Sequence, residues 1–192
     1  APGVVSVCCK CVTHCLPDSS CMQFPTVVMV PLTRTLGGAG GFSAEFAQAV
    51  DVHDADLVWV MDDDTIPAET PLAELSASYA AYGPKLALVA SRVIWIDGRD
   101  QPRNIPRNPW WASRSDRRAA RAAGGRPVRT ASFVSLLIAA NTIRDFGLPT
   151  ADFFIWNDDF EFTARILRQR KGLYAHKDIL VTKNSGPERI GM

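Results

Sequence analysis

The 192-residue chain has no excess of charge of either sign: 21 lysines and arginines face 20 aspartates and glutamates, a formal net charge of +1. That excludes a global field able to hold a nucleic acid or an anionic membrane by counterion release, so any charge-driven function must be local. Long apolar runs are missing as well. No stretch approaches the ~20 residues of a membrane-spanning helix, and runs such as residues 133–140, broken by Ser135, suit a buried strand. There is no repeat at a fixed period, and 13 glycines and 13 prolines are ordinary usage, which excludes a collagen-like or low-complexity chain. Cysteine is absent after residue 21, because all five (Cys8, Cys9, Cys11, Cys15, Cys21) precede it. A disulfide framework spreads through the domain it staples, whereas this cluster can at most tie a terminal knot. A zinc site is not indicated either: His14 lies inside the cluster, but there is no pair of Cys-x-x-Cys knuckles. The segment lacks the basic start, apolar middle and cleavage site of a signal peptide. Its first residue is Ala, so the chain reads as a piece of a longer one. What remains is enough length for one domain burying roughly 70% of its unfolded surface.

From residue 26 the pattern alternates strands and helices. Residues 26–32 (TVVMVPL) read as a strand, followed by a glycine-dense turn (Gly37, Gly38, Gly40, Gly41) and a helix over 42–50 with Phe42, Phe46 and Ala49 on one face. Residues 57–61 (LVWVM) read as a strand ending in Asp62, Asp63 and Asp64. Thr70 as N-cap and Pro71 at the first helical position start a helix that Gly83-Pro84 stops. Residues 86–96 and 130–140 read as strands, 158–170 as a helix. Between them, residues 97–129 read as irregular and basic, with nine arginines and the Trp110-Trp111 pair. Such alternation predicts an α/β sheet with ligands beyond the carboxyl ends of its strands.

Three constellations can carry chemistry. Three adjacent carboxylates repel unless water or a cation relieves them, and hard divalent metals are commonly held by one or two carboxylates plus substrate phosphates. Strand alternation points Asp62 and Asp64 together and Asp63 away; a solvated acidic turn is the plainer reading. In Trp156-Asn157-Asp158-Asp159-Phe160-Glu161, the spacing puts Asp158, Glu161 and Arg165 on one helical face, which suits structural pairing. Asp159 projects elsewhere, where it can serve as a general base or simply decorate a helix start. The glycine-dense turn allows close backbone approach to a phosphate but matches neither the P-loop nor the dinucleotide fingerprint. The arginine-rich stretch reads as a solvated loop, a phosphate-binding flap, or a single-strand nucleic-acid groove with Trp110 and Trp111 as platforms. The neutral balance argues against the last, so no nucleic-acid partner is expected.

Taken in order, Leu36-Gly37-Gly38-Ala39-Gly40-Gly41-Phe42, Trp59-Val60-Met61-Asp62-Asp63-Asp64-Thr65-Ile66-Pro67 and residues 153–165 (FFIWNDDFEFTAR) resemble the family-2 glycosyltransferases. The similarity is greatest to the bacterial galactofuranosyltransferase and rhamnosyltransferase branch. The match runs over residues 26–185, so residues 1–25 are expected to stand outside it and residues 26–192 to form the glycosyltransferase domain, partial at both ends. The resemblance implies a GT-A fold, a Rossmann-like mixed sheet flanked by helices and incomplete at the N-terminus. It implies a nucleotide-sugar donor, UDP-galactofuranose or else dTDP-rhamnose. The acceptor is a lipid-linked or polysaccharide glycan of cell-wall biosynthesis, reached in the cytoplasm or peripherally at the inner face of the plasma membrane. Asp62 and Asp64 match the Asp-x-Asp ligands of Mn2+ or Mg2+, and Gly37, Gly38, Asp62, Asp63 and Asp64 match the donor site. Asp159 matches the catalytic base, with Trp156 and Asp158 as acceptor-contacting neighbours. Arg117 and Arg118 are expected to hold an acceptor pyrophosphate. The family's late metal-binding histidine has no counterpart near Val181-Thr182-Lys183, with His176 the nearest substitute. A catalytically inactive binding remnant and a sugar nucleotidyltransferase are the alternatives, the latter short of a basic residue in the glycine-rich segment beyond Arg34.

Overall fold

A computed structural model of the chain describes residues 3–9, 30, 32, 34–175 and 180–183. Six strands form the main sheet: β1 (Val4–Cys9), β2 (Leu57–Asp62), β4 (Leu86–Ala90), β6 (Gly125–Pro127), β7 (Ser135–Ala139) and β8 (Lys171–Ala175). Their spatial order is β1-β2-β7-β4-β8-β6. The β1/β2 and β4/β8 pairs are parallel, while β7 runs antiparallel to both β2 and β4, and β6 antiparallel to β8. A smaller sheet, ordered β3-β9-β5, joins β3 (Thr65–Pro67), β9 (Leu180–Lys183) and β5 (Arg92–Trp95).

Period-two alternation assigns the strand side chains to two cores. Val58, Val60, Leu136 and Ile138 face one side, where α1 (Gly37–Ala47), α4 (Ala140–Phe146) and α5 (Asp158–Leu167) supply Phe42, Phe46, Ile143, Phe162 and Ile166. Phe133 sits at the centre of this side, 4.9 Å from Phe42, 5.5 Å from Phe46 and 5.8 Å from Phe162, ring centre to ring centre. Leu57, Trp59, Leu137 and Ala139 face the other side, covered by α2 (Pro71–Tyr82) and α3 (Arg114–Ala122) through Leu75 and Ala120. Each large side chain so buried contributes roughly 1.5–3 kcal/mol, which favours this two-sided layering over an open sheet. The Trp59 indole N–H donates to Ser135 Oγ at 3.1 Å, and Ser135 Oγ lies 2.7 Å from Ser91 Oγ, so the polar atoms of this core satisfy one another.

Several sequence expectations are corrected. The glycine-dense segment is not a turn: α1 begins at Gly37 and runs through Phe42, ending in a single wider turn at Gln48–Val52. Residues 86–96 are two strands in different sheets, parted at Ser91, whose N–H donates to the Ser135 carbonyl at 3.1 Å. Only the second half of residues 130–140 is strand, and Ala140 already starts α4. The basic stretch contains α3, opened by a reciprocal cap in which Ser113 Oγ accepts from Asp116 N–H and Asp116 accepts from Ser113 N–H. Thr70 stands at the N-cap of α2 with no side-chain cap bond. Within the segment expected to stand outside the family match, Val4 to Cys9 form β1, in register with Leu57 to Asp62. The strand expected over residues 26–32 lies almost wholly outside the described residues.

Candidate active site

Strand direction puts Asp62 at the carboxyl end of β2, beside the first residue of the antiparallel β7. The chain then turns through Asp63 and Asp64 into β3, and Thr65 pairs with Lys183 of β9. Asp62 and Asp64 are half-buried and Asp63 is exposed, but β2 ends at Asp62, so the turn and not the strand alternation expected from the sequence orients Asp63 and Asp64. Residues 181–183, near which the resemblance places a histidine, pair with Pro67–Thr65, so Lys183 comes beside the residue that follows Asp64, while His176 lies outside the described residues.

The second acidic motif arrives from the helical side. Asn157, Asp158 and Asp159 start α5, preceded by a tightly bent loop. Phe154 (φ 59°, ψ −61°) is the centre of a classic γ-turn, the Ile155 N–H donating to the Phe153 carbonyl at 2.6 Å. Trp156 and Asn157 also take positive φ, 69° and 65°. Three left-handed residues among four store strain that the surroundings must hold, and α1 does the holding. The Phe154 carbonyl accepts the Ala39 N–H at 3.1 Å and sits where a side chain on Gly37 would be, 2.0 Å from an ideal Cβ. Gly37 itself has φ +67°. Its lack of a side chain therefore admits the loop carbonyl, a use different from the expected approach to a phosphate; Gly38 beside it is half-buried.

Thr163 fixes the first turn of α5 to the sheet side: its Oγ accepts the Ala131 N–H (3.0 Å), and its one O–H is shared between the Asp159 carbonyl (2.7 Å) and the Ala131 carbonyl (3.1 Å). Arg165 binds Glu161 through two nitrogens (2.8 and 3.2 Å) and donates to the Phe146 and Leu148 carbonyls, tying the loop before the site to the helix. Glu161 and Arg165 thus form the structural pair that spacing predicts. Asp158 does not join them; it is only 6% exposed and faces the acidic cluster. Neither Thr163 nor the half-buried Glu45 of α1 is singled out by sequence. Burial pushes Glu45 up to about 7, and its Oε2 has no partner among the described residues.

Electrostatics show that the two motifs converge. Burial raises the Asp159 carboxyl to about 6, and the negative charges of Asp158 and Asp62 add to that rise against the Phe160 N–H, which lies 2.6 Å from Asp159 Oδ1. Asp158 is raised by burial too, with Asp62 again contributing. Three carboxylates from opposite ends of the sequence therefore feel one another at the carboxyl end of the sheet. No group of three or more histidine, cysteine, aspartate or glutamate side chains forms a metal cage among the described residues. Hard carboxylate oxygens, crowded without a compensating cation, suit a metal that takes one or two protein ligands and completes its shell on phosphate. Arg117 and Arg118 are not brought here. They lie on α3, on the other side of the sheet, directly after Asp116, whose carboxylate binds Lys171 at the opposite end of β8 at 2.9 Å.

Solved structures share the fold of this chain. It superimposes on GalNAc-T7 with UDP, GalNAc and Mn2+ (TM-score 0.60, 16% identity, 90% of this chain and 36% of that one). It also superimposes on the Pyrobaculum calidifontis mannosyltransferase PcManGT in complex with GDP-Man and Mn2+ (0.56, 15%, 88% and 43%) and on A197 from STIV (0.58, 15%, 91% and 82%). The chain has the GT-A glycosyltransferase fold. Within the GT-A fold the sequence is similar to two curated relatives, both named galactofuranosyltransferase GlfT1. It is 34% identical to that of Mycobacterium tuberculosis and 29% to that of Mycolicibacterium smegmatis, each over 140 residues and 70% of this chain. The chain spans 44% and 46% of their respective lengths. No protein-family profile matches it.

Proposed function

We propose that this chain carries the catalytic site of an inverting hexosyltransferase, moving galactofuranose, with rhamnose as the alternative sugar, from a nucleotide sugar to a hydroxyl of a lipid-linked or polysaccharide acceptor. The galactofuranosyltransferase relatives favour UDP-galactofuranose over dTDP-rhamnose, and cell-wall synthesis at the inner face of the plasma membrane is the setting that fits such an acceptor. No helix among the described residues is long and apolar enough to cross a membrane. The observation that carries the reading is the convergence of Asp62 with Asp158 and Asp159 at the carboxyl end of the sheet.

Asp62 and Asp64 would hold Mn2+ or Mg2+, which supplies neutralising charge to the departing nucleoside diphosphate. Asp159 accepts the proton of the acceptor hydroxyl as that oxygen attacks the anomeric carbon, and attack opposite the leaving group inverts the configuration. With its pKa near 6, Asp159 is a stronger base than an ordinary carboxylate yet stays mostly ionised at neutral pH. Trp156, 77% exposed at the mouth of the site, offers a flat apolar face to a sugar ring. Asp158, buried beside the base, acts on it electrostatically.

Calorimetry with UDP and manganese, on the parent chain and on Asp64→Ala, tests this assignment. Heat with the parent and at least a tenfold weaker signal with the variant is the expected outcome. A silent parent chain sinks the donor site, and binding that ignores the substitution sinks the metal assignment.

A further inference from the structure

Helix α3 buries one face and leaves the other open. Ala120 and Ala123 pack into the core, and Asp116 is occupied by the cap and by Lys171. Arg114, Arg117, Arg118 and Arg121 fall within one third of the helical circumference on the opposite side, by their spacing of three, four and seven. All four are exposed, and none makes an ion pair with another described residue. Immediately before the helix, Trp110 and Trp111 are 80% and 51% exposed, their rings packed edge to face at 5.3 Å and 87°. The molecule has a net charge of only +1, so four unpaired guanidiniums in one row beside two exposed indoles form a local feature rather than a general basic surface.

We infer that this face is a docking surface for an anionic phospholipid bilayer, with the arginines at the headgroup phosphates and Trp110-Trp111 at the boundary between headgroups and chains. Guanidinium forks match phosphate oxygens, and indole combines an apolar body with a polar N–H, the combination favoured at a membrane interface. The inner face of α3 is committed to the protein core, so the contact is superficial and the helix is not embedded. A single-stranded nucleic acid fits less well. Its bases need successive aromatic platforms, whereas these two rings are turned against each other. The inference adds to the membrane setting of the transferase reading the surface that makes the contact, and it rests on separate residues, so it can fail while the donor site stands.

Cosedimentation of the full chain with vesicles tests the surface without turnover. The chain is expected to sediment with vesicles of equal parts phosphatidylglycerol and phosphatidylcholine, to stay in solution with phosphatidylcholine alone, and to be released by salt. Arg114→Gln combined with Arg121→Gln is expected to weaken partitioning about 30-fold, at about fivefold per arginine near an anionic surface. Trp110→Ser with Trp111→Ser gives a second, charge-neutral readout and should also weaken it. Thermal melting checks that each variant folds, and UDP calorimetry on the same samples reports the donor site separately. Equal sedimentation on both lipids, none on either, variants that bind like the parent, or tighter binding to a single-stranded oligonucleotide would each overturn the proposal.

Discussion

Asp159 shows how one side chain's setting determines a pH profile. Its carboxyl is raised to about 6 chiefly by burial, then by Asp158 and Asp62. A general base works only when ionised, so transfer should be lost as pH falls through about 6 and should level off above it. Asp158→Asn removes one of the two repelling charges and should move the acid limb to lower pH while protein remains folded. A pH–rate series of kcat/KM on both chains measures this, and an unmoved limb would show that Asp158 does not act on the base. Asp159→Asn should lower the rate by about 10² to 10⁴ without abolishing UDP binding. The sequence made these residues visible as a motif and left open whether they were a helix-start decoration or a base. Spacing alone grouped Asp158 with Glu161 and Arg165, because helical periodicity ignores what lies across the sheet. Asp158 is instead buried within reach of the charge of Asp62, which is distant in sequence.

Among the elements, α1 and the loop before α5 work as a unit. The loop's γ-turn and left-handed residues persist because the Phe154 carbonyl is seated on Ala39 N–H in the space left by Gly37. Gly37→Ala combines an unfavourable φ with a Cβ that meets backbone rather than a yielding side chain. It should displace the loop, lower kcat at least tenfold and leave UDP binding within about threefold of the parent; equal losses in both would mean that Gly37 serves the donor instead. Sequence legibility was uneven at this level. Strand β2 and helix α2 were readable from a β-branched run and from Pro71 with Gly83. Helix α1 was not, because glycine signals a turn unless burial against another element holds it helical, and tertiary packing is not written in local propensity. Helix α3 is obscured in the sequence because its arginines give it the polar composition of a solvated loop, while its start rests on the Ser113-Asp116 cap and its packing on small inward residues.

At the scale of the molecule, ordered motifs announced a mixed α/β sheet, and the strand order brings the two acidic motifs to the same end of it. That convergence could not be read from strand candidates alone, since β7 enters antiparallel between β2 and β4 and ties together segments far apart in the chain. The near-zero net charge likewise concealed a segregation: acids gather at the carboxyl end of β2, and unpaired arginines line α3 on the other side of the sheet. The cysteine-bearing segment has a practical consequence for anyone who trims the protein. Composition invites removal of the first 25 residues, yet β1 is the hydrogen-bonding partner of β2 from Leu57 to Asp62. Cutting it away would turn β2, whose first four residues are buried and apolar, into an open sheet edge, a template for pairing with other copies. A 26–192 chain should therefore elute as aggregate in size-exclusion chromatography where the full chain does not. The stretch that looks most foreign in the sequence is, for solubility, the one that shields the strand leading to Asp62.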